Sequence, residues 1–164
     1  MCFTGECRIR MANGGYKYVM ELQPDERVWG GHRIVTIVTT PVHKDVDMIT
    51  FHQGLKITPW HPMKLRPDLV WVFPVNVGIK KRMYVDLYYN LVLDSGHILE
   101  LNDFPVVTLG HELGDNEVVT HPYYGTYLVV EDLKKHPKWK SGFIVLGSES
   151  KVIRFEKGLL EGVK

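Results

Sequence analysis

The sequence predicts an all-β domain, mostly strand with one or two short helices, whose curled sheets close on themselves. Three observations predict it. Short runs rich in Val, Ile, Thr and Tyr recur along the chain, turn strings bearing Gly, Asn and Asp separate them, and one segment has helical spacing. A length of 164 residues, with 45% apolar and 24% charged side chains, suits one ordinary globular unit with a real core.

The expected strands are 8–10, 16–19, 27–29, 33–40, 48–51, 55–58, 70–73, 81–93, 97–101, 106–108, 143–146 and 152–155. Their side chains suit a pleated, half-buried surface. Between them stand Asn13-Gly14-Gly15, Pro24-Asp25, Gly30-Gly31, Asp94-Ser95-Gly96 and Asn102-Asp103, residues that tolerate turn backbone. Asp94-Ser95-Gly96, set between two strand-like runs, predicts a hairpin. The helix is expected over 127–136, where Leu128, Val129 and Leu133 share a face. Lys and His crowd its C-terminal end, favourable for the helix dipole, and Pro137 opposes continuation. Strands this frequent, some of them long, favour closed or curled sheets over a flat one.

Composition narrows the partners. Lys and Arg number 20 against 19 Asp and Glu, a formal net charge of +1, so no charge field points to nucleic acid. No apolar run is long enough to cross a bilayer, and no signal sequence precedes Cys2. A monomer free of membrane and nucleic acid is therefore expected. Two cysteines five positions apart make no disulfide framework. Free thiols favour a reducing compartment, the cytoplasm.

The chemistry centres on Cys2 and, about fifty residues later, Thr58-Pro59-Trp60-His61. A cysteine at the head of a domain has one nearby carbonyl to attack, that of the preceding residue. Cleaving that amide requires sulfur attack, stabilisation of the oxyanion, and a proton for the leaving nitrogen. The Thr58 hydroxyl or a backbone amide can polarise the carbonyl. The His61 imidazole, titrating near neutrality, can protonate the nitrogen. The product is a thioester, open to water, thiol or alcohol, and no metal or organic cofactor is required. The competing structural readings are a buried small Cys2, a loop-capping His61 and a core-filling Trp60. Cys7 reads as a small buried strand residue.

The strings in order resemble the hedgehog/intein (Hint) superfamily. Cys2-Phe3-Thr4-Gly5 is similar to its Cys-x-x-Gly opening, and Pro24-Asp25-Glu26-Arg27-Val28 to the turn that follows, here without its glycine. Thr58-Pro59-Trp60-His61-Pro62 resembles the Thr-x-x-His block. The wording is most similar to the Vint subfamily, the Hint domains attached to von Willebrand factor A domains. Its marks are Trp71-Val72-Phe73-Pro74, Asn90-Leu91-Val92-Leu93-Asp94, Thr108-Leu109-Gly110-His111 and His121-Pro122-Tyr123-Tyr124-Gly125-Thr126.

The resemblance implies a horseshoe of curled antiparallel sheets with pseudo-twofold halves. Residues 1–142 would form the autoprocessing domain, with 143–164 as an extension packed on it. Cys2 would perform an N-to-S acyl shift, assisted by Thr58 and His61. His97 falls where inteins use a histidine for their C-terminal steps, and His111 would face the cleft. For both, the alternative is a hydrogen-bonded strand or loop histidine. The substrate would be a covalently attached upstream segment, such as a von Willebrand factor A-type region, and the domain a self-cleaving, single-turnover enzyme.

Departures from the family pattern restrict the reaction. No His-Asn pair occurs anywhere, so the asparagine cyclisation that ends splicing is not expected. The position of the acidic residue used in hedgehog sterol transfer falls near Thr39-Thr40, with Asp45 and Asp47 several residues away. Sterol transfer is thus disfavoured, leaving N-terminal cleavage. The alternative is a catalytically silent Hint-like interaction module. A histidine metal enzyme ranks last: His111-Glu112-Leu113-Gly114-Asp115 lacks the His-Glu-x-x-His pattern, although Cys2 and His61 are of types that suit adventitious zinc.

Overall fold

Turn chemistry and two long strands set the architecture. The computed structural model describes residues 1–66, 69–114 and 116–147. Along the chain come β1 (Phe3–Thr4), β2 (Arg8–Arg10), β3 (Tyr16–Tyr18), β4 (Arg27–Val28), β5 (His32–Thr50), β6 (Lys56–Ile57) and β7 (Met63–Leu65). Then follow β8 (Val70–Val72), β9 (Ile79–Leu93), β10 (Ile98–Leu101), β11 (Phe104–Val107), α1 (Tyr127–Lys134) and β12 (Phe143–Val145). The all-β class holds. Among the described residues every strand pairing is antiparallel except that of β12, which runs parallel to β5 with Phe143, Ile144 and Val145 opposite Ile37, Val38 and Thr39.

The first sheet closes on itself. β5 pairs with β9 along its length, β9 with β1, β1 with β6, and β6 with the far end of β5. The second sheet runs β3-β2-β10-β11-β7-β8. Between Leu101 and Phe104 the β10–β11 hairpin turns on Asn102 (φ 48°) and Asp103 (φ 69°), both left-handed, as a two-residue turn matching strand twist demands.

Three expectations change. Segments 33–40 and 48–51 are one strand, β5, because β9 supplies a partner on both sides of a bulge between Pro41 and Lys44. Pro41 has no N–H to give the ladder and His43 takes a positive φ of 50°, both tolerated at a bulge. Asp94-Ser95-Gly96 is not a hairpin: Leu93 pairs with Ile34 in the first sheet and Ile98 with Val107 in the second, so the turn carries the chain between sheets. The helix stops at Lys134, because residue 136 precedes a proline and is pushed out of helical backbone. Strands β1 and β7 are too short to show alternation. The strand expected over 152–155 lies outside the described residues.

Apolar residues form one core that includes Phe3, Ile9, Ile57 and Leu101, and a second that joins Met1, Val38 and Trp71 to Val129 and Leu133 of α1. A small third cluster, Met48, Val85 and Tyr88, has Cys2 packed against it. Cys2 therefore sits where the three meet.

Candidate active site

The Met1–Cys2 peptide bond is held from both sides. β1 continues its pairing with β6 by one residue, so the Thr58 N–H donates to the Cys2 carbonyl at 2.9 Å. This brings the Thr58 hydroxyl onto the Cys2 backbone, where Oγ1 accepts from the Cys2 N–H at 2.8 Å and donates to the Cys2 carbonyl at 3.1 Å. Thr58 is buried, which limits competition from water at its hydroxyl. Its hydroxyl grips the amide nitrogen, while the Met1 carbonyl on the other side of the bond is held by a different residue.

That residue is Asn90, on β9, whose Nδ2 donates to the Met1 carbonyl. The Leu91 N–H donates to Asn90 Oδ1 at 2.9 Å, which orients the amide and leaves its NH₂ group facing Met1. Asn90 is 3% exposed. The expectation that Thr58 or a backbone amide polarises the carbonyl is thereby redistributed: Thr58 holds the nitrogen and Asn90 the oxygen.

His61 is fully buried against Phe3, with ring centroids 5.6 Å apart. Its Nε2 lies 2.7 Å from the Val107 carbonyl, which can only accept, so Nε2 carries the hydrogen. In the neutral ring Nδ1 then bears a lone pair, with no hydrogen-bond partner within bonding distance among the described residues. Burial, followed by the nearby Met1 ammonium, pulls the imidazole down to about 3, against the opposing Val107 carbonyl. At neutral pH the ring is therefore uncharged. The expected titration near neutrality does not hold, and His61 must collect a proton before it can give one.

Cys2 is half-buried, and burial raises its thiol pKa, opposed by the Met1 ammonium beside it. The phenols of Tyr88 and Tyr124 feel the Cys2 charge and are both raised, chiefly by burial. Tyr88 is 5% exposed and its hydroxyl makes no hydrogen bond among the described residues. Asn90 and Tyr124 stand in strings that carry the family resemblance, but nothing in those strings assigns either, or Tyr88, to the site: Tyr88 and Asn90 reach it through β9, and Tyr124 from the segment ahead of α1.

His111 is buried, its Nδ1 accepting from the Leu113 N–H at 2.9 Å, and it lies within electrostatic range of His61. His97 stands apart. It occupies the corner between the sheets at φ 56°, and its electrostatic neighbours are His32, Asp94 and Glu112 rather than Cys2 or His61. Cys7, also buried, approaches Thr4 Oγ1 at 3.6 Å and the Lys56 carbonyl at 3.5 Å, away from this chemistry. Among the described residues no group of three or more His, Cys, Asp or Glu side chains is arranged to hold a metal ion.

Comparisons with known proteins agree with this architecture. The chain resembles a DnaB intein from Synechocystis sp. PCC 6803, with TM-score 0.52 and 15% identity over 65% of this chain and 97% of that one. It also resembles the gp41-1 intein, with TM-score 0.49 and 10% identity over 65% and 98%. At 15% identity the likeness to the DnaB intein concerns the fold alone. No curated protein matches the sequence. The sequence profile of one family, Vint, described as a Hint-domain, matches residues 1–159. The chain belongs to the Vint family and is a Hint domain, of the autoprocessing type.

Proposed function

We propose that this domain cleaves the peptide bond between Met1 and Cys2 in a single turnover, with whatever segment precedes Cys2 as its substrate. The observation that carries the reading is the double grip on that bond, Asn90 on the carbonyl oxygen and Thr58 on the amide nitrogen. In the first step Cys2 Sγ attacks the Met1 carbonyl carbon and loses its proton to His61 Nδ1. The developing oxyanion is stabilised by the Asn90 NH₂ group, aimed and desolvated in advance. His61 then passes the proton to the Cys2 nitrogen, the C–N bond breaks, and Met1 is left as a thioester on sulfur. Water adds to the thioester, releasing a Met1 carboxylate and restoring the thiol.

A raised thiol pKa and a neutral imidazole leave no buried ion pair at rest, so the proton leaves sulfur only as sulfur attacks. The Met1 ammonium that depresses His61 is an amide in an uncleaved chain, so there the ring is more basic. Since only a reduced Cys2 can react, a reducing compartment, the cytoplasm, suits the reaction. A von Willebrand factor A-type region fits as the upstream segment.

Expression with about ten residues added ahead of Met1, followed by intact-mass measurement with and without hydroxylamine, tests the reading. The expected result is release at Met1–Cys2, accelerated by hydroxylamine and abolished by Cys2→Ala. A precursor that stays intact while folded marks the domain as a silent interaction module.

A further inference from the structure

A cavity of about 270 Å³ adjoins the amino terminus, with Met1, Trp60, Pro62, Phe73, Val118 and His121 among its walls. Its volume lies just below the range of drug-sized ligand pockets, about 300–1,000 Å³, and suits one large side chain. Trp60 and Phe73 are half-buried and meet edge to face, centroids 5.1 Å apart at 71°, offering aromatic surface to the cavity. Among the described residues of the lining, exposed Glu117 is the one carboxylate.

The position of the Met1 nitrogen gives this cavity an occupant. The Met1 side chain is buried in the second core, and Met1 is itself a wall of the cavity. Its ammonium acts on the Cys2 thiol and His61, and also on His121, another cavity wall. Met1 thus links the scissile bond to the cavity, its carbonyl held by Asn90 and the residue itself forming part of the cavity wall. A residue joined to the Met1 nitrogen is delivered among Trp60, Phe73 and His121.

We propose that the cavity is a subsite for the side chain immediately ahead of Met1 in an uncleaved chain, and that it selects a large apolar residue there. The proposal rests on the self-cleavage reading for its purpose: seating that side chain holds the Met1 carbonyl under Asn90. Apolar walls favour Leu or Phe over Gly, which leaves the cavity unfilled. Glu117 repels Asp.

The test uses precursors differing only at the residue ahead of Met1, set to Leu, Phe, Gly or Asp, with release followed in hydroxylamine. Leu and Phe precursors should cleave roughly tenfold or more faster than Gly, with Asp slowest. Equal rates overturn the subsite. A second measurement does not depend on cleavage. In a Cys2→Ala precursor, the methyl resonances of a labelled Leu ahead of Met1 should shift upfield under the Trp60 and Phe73 rings. They should return towards random-coil positions in Phe73→Ala, or in Val118→Asp where that variant does not fold. Random-coil methyls in the parent overturn the subsite. Shifted methyls in Cys2→Ala, together with a Cys2-bearing precursor that folds but never cleaves, uphold it and sink the self-cleavage reading instead.

Discussion

Replacing Asn90 by Leu removes the Nδ2 hydrogen bond to the carbonyl that must become an oxyanion, at nearly unchanged volume. The wild-type amide is fixed at both ends, by the Leu91 N–H on Oδ1 and the Met1 carbonyl on Nδ2, and is 3% exposed. Such a donor costs no reorganisation when charge develops, and loss of one oxyanion donor slows acyl transfer by about 100- to 1,000-fold, roughly 2.7–4 kcal/mol of barrier. The ground state loses less, since a net neutral hydrogen bond contributes about 0.5–1.5 kcal/mol. Cleavage of the precursor should therefore fall by two to three orders of magnitude, while a urea melt shows loss on the order of 1–3 kcal/mol, including the stranded Leu91 N–H. Intact-mass time courses at one pH, with circular dichroism to confirm folding, give both numbers. Folded Asn90→Leu that cleaves within threefold of the parent refutes the oxyanion role and the mechanism built on it.

Two further outcomes follow from the buried ionisable groups. The His61 pKa is about 3 folded against an ordinary 6.5 unfolded, so between those values the unfolded chain binds the extra proton. Stability should fall as pH drops below about 6.5, by on the order of 4 kcal/mol in total at pH 3. Urea unfolding at pH 7 and 4.5 should show a smaller loss in His61→Gln than in the parent; equal losses contradict a buried neutral ring. Tyr88→Phe deletes a buried hydroxyl that has no hydrogen-bond partner among the described residues, so it should leave stability unchanged or raise it by about 1 kcal/mol. A lower melting temperature for Tyr88→Phe shows instead that the hydroxyl is held by a group it needs.

Much of the fold is legible where local rules govern. Asn102-Asp103 turns where its residues tolerate left-handed backbone, and α1 ends short of Pro137 for a covalent reason. The exceptions are places where a distant strand decides. Pro41 and His43 read as a break, yet β9 pairs across them, and Asp94-Ser95-Gly96 reads as a hairpin, yet its flanks have partners in different sheets.

The site divides along the same line. Cys2, Thr58 and His61 stand in recognisable strings because a nucleophile, a hydroxyl and an imidazole are chemically conspicuous residue types. Asn90 is inconspicuous, and its amide meets the Met1 carbonyl across a sequence separation of 89. The protonation state of His61 is equally invisible in a string, since it follows from complete burial and from Val107 O occupying Nε2. By itself the sequence determined which atoms are able to react. Only the tertiary structure decided which amide they surround, which group faces its oxygen and where the proton rests, because donor direction and desolvation come from chain segments that meet only on folding.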